Sequence, residues 1–186
     1  MRSRREGGEG EGSQMKSQGV ALVVGGTRGI GKALVSRLQD LGWTVVSTGH
    51  ADLDLADPRG WDQFMQGLLF QQFDFVCFCA GEIDAFPWDR KSAEDYIRAY
   101  WIHALGPVML LAQYPSRFPW WCKIAFVSSV GAVNDGIVDL GYGMAKAALD
   151  KAAKALAKRT AWGVYLIRLD LVSTDTMYRL PTESLH

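Results

Sequence analysis

Val20-Ala21-Leu22-Val23-Val24-Gly25-Gly26-Thr27-Arg28-Gly29-Ile30-Gly31 is the stretch that decides the fold of this chain. It opens on a short, largely β-branched run that reads as a strand. Two glycines close the run, and apolar residues then recur at 30, 34, 38 and 41, which is the spacing of one helix face. Gly42 stands where a helix C-terminus wants a glycine. Glycine at 25, 29 and 31 lets the backbone turn sharply and lets an anion approach it closely. The helix N-terminus adds free N–H groups and a positive dipole end. Strand, glycine loop and helix in this order predict a cradle for a pyrophosphate.

The same alternation continues to the other end. Residues 44–47 read as a second strand and 57–69 as a helix with Pro58 in its first turn. Residues 73–79 form an apolar strand ending at Ala80-Gly81. Residues 92–112 form a long helical stretch, opened by a Ser92…Asp95 pair suited to an N-cap. Residues 123–128, 141–159 and 164–169 follow as strand, Ala/Lys helix and strand. Strands that are near-continuously apolar and separated by helices predict a parallel sheet covered on both faces. With right-handed crossovers this is a single-domain, doubly wound α/β fold of the Rossmann-like kind. There is little room for a further helix between the second strand and Asp54-Leu55.

Composition fits this reading. The chain has 186 residues, 48% of them hydrophobic, enough for one domain that buries roughly 70% of its unfolded surface. Lys plus Arg and Asp plus Glu are 20 each, so no basic footprint points to nucleic acid. Apolar runs such as 75–80 are too short to span a bilayer. Cys77, Cys79 and Cys122 are unpaired in spacing, which suggests reduced thiols in a cytoplasmic setting. Cys77 and Cys79 share a face if their stretch is a strand, and no metal cluster accompanies them, so both read as buried apolar cysteines. Residues 1–18, almost without apolar side chains, read as a tail outside the fold and lack the apolar core of a secretory signal.

Dinucleotide type is read at the end of the second strand. A diol-binding site places an acid there for the ribose 2′-OH. This chain has Ser47-Thr48-Gly49-His50 instead, and Arg28 stands before the second motif glycine. A cation at 28, with donors from Thr48 and His50, suits a 2′-phosphate, so NADP(H) is favoured over NAD(H).

Tyr142 and Lys146 lie four residues apart on one helix and so share a face. A phenol near pKa 10 is too weak an acid for proton traffic at neutrality, and a neighbouring ammonium is expected to lower it. A tyrosine so tuned exchanges the proton of an alcohol or ketone. Ser128-Ser129, at a strand end that faces the ligand crevice, supplies a hydroxyl for the substrate oxygen.

With these residues the chain resembles a short-chain dehydrogenase/reductase of the classical type, over about residues 20–177. The carriers are Gly25-x-x-x-Gly29-Ile30-Gly31, Ala80-Gly81, Ser129, and Tyr142-x-x-x-Lys146, with Ser129 thirteen residues before Tyr142. The resemblance implies hydride transfer between a nicotinamide and a carbonyl carbon of a small-molecule ketone, aldehyde or alcohol. It makes Tyr142 the acid/base and Ser129 the group that polarises the carbonyl. Lys146 would tune Tyr142 and bind the nicotinamide ribose. Gly25, Thr27, Arg28, Gly29, Ile30 and Gly31 would meet the dinucleotide, together with His50, Asp54, Ala80 and Gly81. Thr174 would meet the carboxamide. A homo-oligomer pairing long helices is implied; a metal, a membrane and nucleic acid are not.

Departures from the family pattern are also visible. The family's Asn-Asn-Ala-Gly is Phe78-Cys79-Ala80-Gly81 here, and its helix asparagine is His103, ahead of Gly106-Pro107. Pro107 has no N–H for the carbonyl of residue 103, so that carbonyl is free to hold a water, and His103 can itself carry protons or simply pack. Leu169 to Thr174 lacks the family's Pro-Gly, and Asp170 is unusual there. The family's substrate-covering segment and seventh strand have no counterpart before His186, which predicts an open crevice. Trp88, Trp101, Trp120 and Trp121 fall near the crevice or in loops beside it, for stacking or for packing. These departures motivate a second reading, a dinucleotide-binding regulator or scaffold on the same fold with little or no catalysis.

Overall fold

The computed structural model describes residues 18–69, 72–83, 88–134 and 139–170. Five parallel strands form one sheet: β1 (Val20–Val24), β2 (Thr44–Thr48), β3 (Phe75–Phe78), β4 (Lys123–Ser129) and β5 (Gly163–Leu169). Their order is β2-β1-β3-β4-β5, so the chain leaves β1 in one direction and returns on its other side. Ligands of open parallel sheets bind at such a reversal, outside the carboxyl ends of the strands. Here those ends belong to β1 and β3, in register as Val24↔Phe78.

The two sheet faces are filled by alternate residues of the same strands, as a two-residue period requires. Leu22, Val24, Val76, Phe78, Ile124 and Phe126 point to the larger core. It is closed by Trp61 and Met65 of α2 (Trp61–Gly67), Leu110 and Leu111 of α4 (Gly106–Gln113), and Leu149 and Ala153 of α5 (Leu140–Arg159). Ala21 and Val23 face the other way, onto Leu34, Val35 and Leu38 of α1 (Gly29–Asp40). Helices therefore cover both faces, as the alternation predicts.

Two helices differ from the sequence reading. The single helix expected over 57–69 is a turn of 3-10 helix (Pro58–Gly60), capped by Asp57, followed by α2. The long helix expected over 92–112 opens with the Ser92/Asp95 capping box and runs as α3 (Ala93–Tyr100). It then widens into a π turn over Trp101–Leu105, closed by the Gly106 N–H on the Trp101 carbonyl, before α4. Pro107 is the cause legible in sequence, because it cannot donate back to residue 103. Of the tail assigned to residues 1–18, Gln18 is described, and its N–H bonds the Gly42 carbonyl at 3.1 Å. Residues 1–17 lie outside the described part.

The loop after β2 is tied down by core residues. Leu53 and Leu55 are buried, and the Trp61 indole N–H donates to the Asp54 carbonyl at 2.8 Å. Trp61, 1% exposed, thus holds both the core and one wall of the crevice. Trp61→Ala is expected to cost about 3–5 kcal/mol of folding stability. Trp61→Phe, which keeps part of the packing and loses the hydrogen bond, should cost less, about 1–3 kcal/mol. Urea denaturation of the two variants checks this, and equal losses would contradict the assignment.

Candidate active site

The glycine loop does what its sequence requires. Gly25 takes φ 85°, and a side chain there would run into the backbone of Cys79 and Ala80. A Cβ on Gly31 would collide with the Gly25 carbonyl. The loop and the start of α1 are therefore pressed against the end of β3, which leaves a cleft of about 320 Å³. Thr27, Arg28, Gly29 and Ile30 line one side of it, together with Gly25 and Gly31. His50 and Asp54 line a second side, and Ala80 and Gly81 a third. Every dinucleotide contact expected from sequence lies on this cleft except three: Lys146 is on α5, Thr174 is outside the described residues, and Thr48, expected as a donor to a 2′-phosphate, is instead fully buried at the end of β2, where strand alternation turns its side chain into the protein. The cradle that a Cβ would fill fits the pyrophosphate of a dinucleotide.

One rim carries a charged bridge that sequence reading missed. His50 Nε2 lies 3.0 Å from Asp54 Oδ2. Arg98 of α3 reaches both His50, at 3.3 Å, and Glu82 Oε1, at 2.8 Å. Arg98 so links the walls that follow β2 and β3. Its partners lie 16 and 48 residues away in sequence, beyond any local pattern.

The catalytic candidates meet where β4 ends and α5 begins. Asp139 caps α5, its Oδ1 accepting the Tyr142 N–H at 3.1 Å. Its carboxylate also pairs with Lys91 at 2.8 Å, both side chains almost fully buried. The first turn of α5 is thereby pinned to the segment before α3. Strand alternation separates the two serines. Ser128 turns into the protein and donates to Asp150 Oδ1 at 2.6 Å, while Arg168 of β5 holds the other Asp150 oxygen at 2.6 Å. Ser129 turns the other way, accepts the Gly131 N–H, and brings its hydroxyl within electrostatic reach of the Tyr142 phenol.

Lys146 is buried and donates to the Val127 carbonyl at 2.7 Å, with its Nζ 5.5 Å from the centre of the Tyr142 ring. Burial pulls its pKa down to about 8, against the opposing charges of Cys79 and Asp150. The Tyr142 phenol departs from expectation. Burial raises its pKa, the nearby Ser129 hydroxyl works against that, and the Asp139 carboxylate adds to the rise. The lowering expected from Lys146 does not dominate, because desolvation of the phenolate is the largest effect.

His103 sits in the π turn, 1% exposed, its ring edge-on to Tyr142 at 4.9 Å between centroids. Nε2 lies 2.7 Å from the Glu82 carbonyl, which accepts only, so Nε2 carries the proton. Nδ1 is then a buried acceptor with no partner among the described residues. Burial, and then the Lys146 charge, lower the His103 pKa to about 3. A cationic shuttle is not what this environment favours; a neutral acceptor waiting for a hydroxyl or water is.

The remaining candidates fall into place around these. Phe78 is core, stacked on Phe126 at 5.4 Å. Cys79 is partly buried and lines the cleft, not solely a core cysteine. Trp101 packs against the main core. Trp120 and Trp121 precede β4 and so stand at the end of the sheet away from the crevice, with the Trp121 indole on Asp74. Among the described residues no group of three or more His, Cys, Asp or Glu is placed to hold a metal, and no helix is long and apolar enough to cross a membrane.

The pattern of the NAD-dependent epimerase/dehydratase family, a short-chain dehydrogenase/reductase-type domain, matches residues 21–174. The chain belongs to this family. No curated protein sequence matches it. Among solved structures, a short-chain dehydrogenase family protein from Francisella tularensis subsp. tularensis SCHU S4 superposes with a TM-score of 0.75 at 21% identity, over 85% of this chain and 72% of that one. A short-chain dehydrogenase/reductase from Saccharomyces cerevisiae gives 0.74 at 20% identity, over 89% and 75%. A 4-hydroxyisoleucine dehydrogenase complexed with NADH gives 0.73 at 17% identity, over 85% and 78%. At these identities the likeness establishes a shared fold.

Burial of neutral His103 has a pH signature. Its pKa is about 3 in the folded protein and 6.5 in an unperturbed histidine, so the unfolded chain binds more protons between these values. The stability it contributes is complete above pH 6.5 and is lost as pH falls toward 3. Wild type should lose more stability than His103→Asn on going from pH 7 to pH 5, and parallel losses in urea titrations would contradict the neutral assignment.

Proposed function

We propose that this protein is an NADP(H)-dependent oxidoreductase that interconverts a small ketone or aldehyde and the corresponding alcohol. The observation that carries the reading is the Ser129–Tyr142 hydroxyl pair, set over buried Lys146 in a helix turn pinned by Asp139. When bound, the nicotinamide supplies or takes up the hydride at the carbonyl carbon. This chain's own residues bind, orient and move the proton. Gly25 and Gly31 leave room for the pyrophosphate against the start of α1. Ser129 donates to the substrate oxygen, and Tyr142 gives that oxygen its proton. The raised phenol pKa keeps Tyr142 protonated but makes it a weaker acid, so the proton passes only as the substrate oxygen becomes an alkoxide on arrival of the hydride. Lys146 stands behind the tyrosine ring as the fixed positive charge.

The preference for a 2′-phosphate rests on Arg28 and His50, which line the cleft, and on the absence of an acid in that position. Asp52, the first carboxylate after β2, is turned back to accept the Gly49 N–H at 2.8 Å. A homo-oligomer belongs to the same reading. Ile97 and Tyr100 of α3, and Leu140 and Met144 of α5, leave apolar surface exposed for a second copy.

Two experiments test the assignment. Tyr142→Phe should lower carbonyl reduction by about 10²–10⁴-fold while fluorescence titration still shows dinucleotide binding. Binding without turnover in the wild type, across a broad carbonyl panel, would instead support the regulator reading. Arg28→Ala should weaken NADPH at least about tenfold more than NADH, the worth of one charged hydrogen bond. Equal losses for the two would remove the cofactor preference.

A further inference from the structure

Cys77 and Cys79 are two residues apart on β3 and its continuation, so their side chains share a face. Their Sγ atoms are 3.4 Å apart. The two sulfurs live in different surroundings. Cys77 is 1% exposed and lies between Val23 and Ala125 in the sheet. Cys79 is only partly buried and lines the dinucleotide cleft, its N–H fixed to the Val24 carbonyl at 2.8 Å. The next residue, Ala80, is the one against which Gly25 is pressed.

This asymmetry decides which sulfur keeps its proton. Cys77 has almost no access to solvent, so a charge on it would be the costlier of the two and Cys77 is the better-placed donor of the pair. Cys79 faces both the cleft and the electrostatic reach of the Lys146 ammonium. The Cys77 hydrogen bond and then the Lys146 charge lower the Cys79 pKa against the effect of burial, while Cys77 is raised. Cys122 has no such help: burial, with the Asp74 charge, pushes it up to about 12. A thiolate, not a thiol, is the nucleophile, and reactive cysteines are those that are both electropositive in setting and reachable.

We propose that Cys79 is a covalent modification site inside the cofactor cleft, where a soft electrophile of the α,β-unsaturated carbonyl class adds to its sulfur and excludes the dinucleotide. The competition rests on the reading of this cleft as a dinucleotide site. In the step, the Cys79 thiolate attacks the β carbon. A C–S bond forms, the C=C π bond breaks, and the resulting enolate takes one proton from solvent. Nothing is oxidised or reduced, and no group leaves. An adduct at this position stands where the end of β3 meets the glycine loop, in the space a pyrophosphate would use.

N-ethylmaleimide, given in less than stoichiometric amount to the whole protein at neutral pH, tests the assignment, with peptide mass spectrometry following all three cysteines over time. Cys79 should be modified at least about tenfold faster than Cys77 or Cys122, one pKa unit of thiolate advantage. Saturating NADPH should slow its labelling, and the purified adduct should bind NADPH at least about tenfold more weakly in fluorescence titration, about 1.4 kcal/mol. Cys77→Ala should slow labelling of Cys79, and Cys77→Ser, which restores a donor, should recover part of the rate. Cys122 or Cys77 reacting first would overturn the proposal. So would NADPH that binds the unmodified protein yet neither protects Cys79 nor is weakened by the adduct, an outcome that leaves the cofactor reading intact. If the unmodified protein binds neither NADPH nor NADH, the cofactor reading fails and the competition with it, while the order of labelling still decides whether Cys79 is the reactive thiol.

Discussion

A single buried ammonium organises the functional end of this protein. Lys146 stands on the same stripe of α5 as Tyr142 and Asp150, four residues to either side, and that stripe faces the end of β4. Taking a lysine out of water is costly, and the cost is met locally. The Val127 carbonyl accepts one of its protons, the Tyr142 ring lies over the charge, and the Asp150 carboxylate offsets it from the next turn. Asp150 is itself held from both sides by Ser128 and Arg168. Sheet, helix and edge strand are therefore joined through one network, and the position of Lys146 follows from all three.

The same dryness that fixes Lys146 sets the protonation of its neighbours. Burial favours the neutral form of each group: it lowers Lys146 and His103 and raises Tyr142. A site biased in this way holds its protons on oxygen and gives them up to a substrate oxygen that gains charge. His103 contributes an acceptor in Nδ1, because Nε2 is committed to the Glu82 carbonyl. A hydroxyl or water that bonds Nδ1 would be positioned beside Tyr142, in a pocket wall made by the π turn.

The sequence makes local chemistry legible and leaves tertiary chemistry hidden. The glycine loop, the Ser129 and Tyr142–Lys146 spacing and the alternation of strands with helices all follow from short-range patterns, since turns, faces and alternation are set within a few residues. The break in the long helix was legible too, in Pro107. The sign of the Tyr142 shift was not, because spacing shows that a cation is near but not how dry the phenol is. Arg98, Glu82 and the Lys91–Asp139 pair were missed for a different reason: ordinary charged residues acquire meaning only when distant segments meet. Cys79 was read as core because period-two patterning assigns a face, and the crevice opens at the end of that face.

The exchange of two polar family positions for Phe78 and Cys79 bears on this electrostatics. Phe78 joins the strands by stacking on Phe126 where a polar side chain would have needed hydrogen-bond partners in the core. The crevice wall at Cys79 carries a polarisable sulfur where the family has an amide. Charges next to a low-dielectric wall act over longer distances than charges in water. The departures that first suggest a weakened site therefore leave Cys79 and His103 within reach of the Lys146 charge.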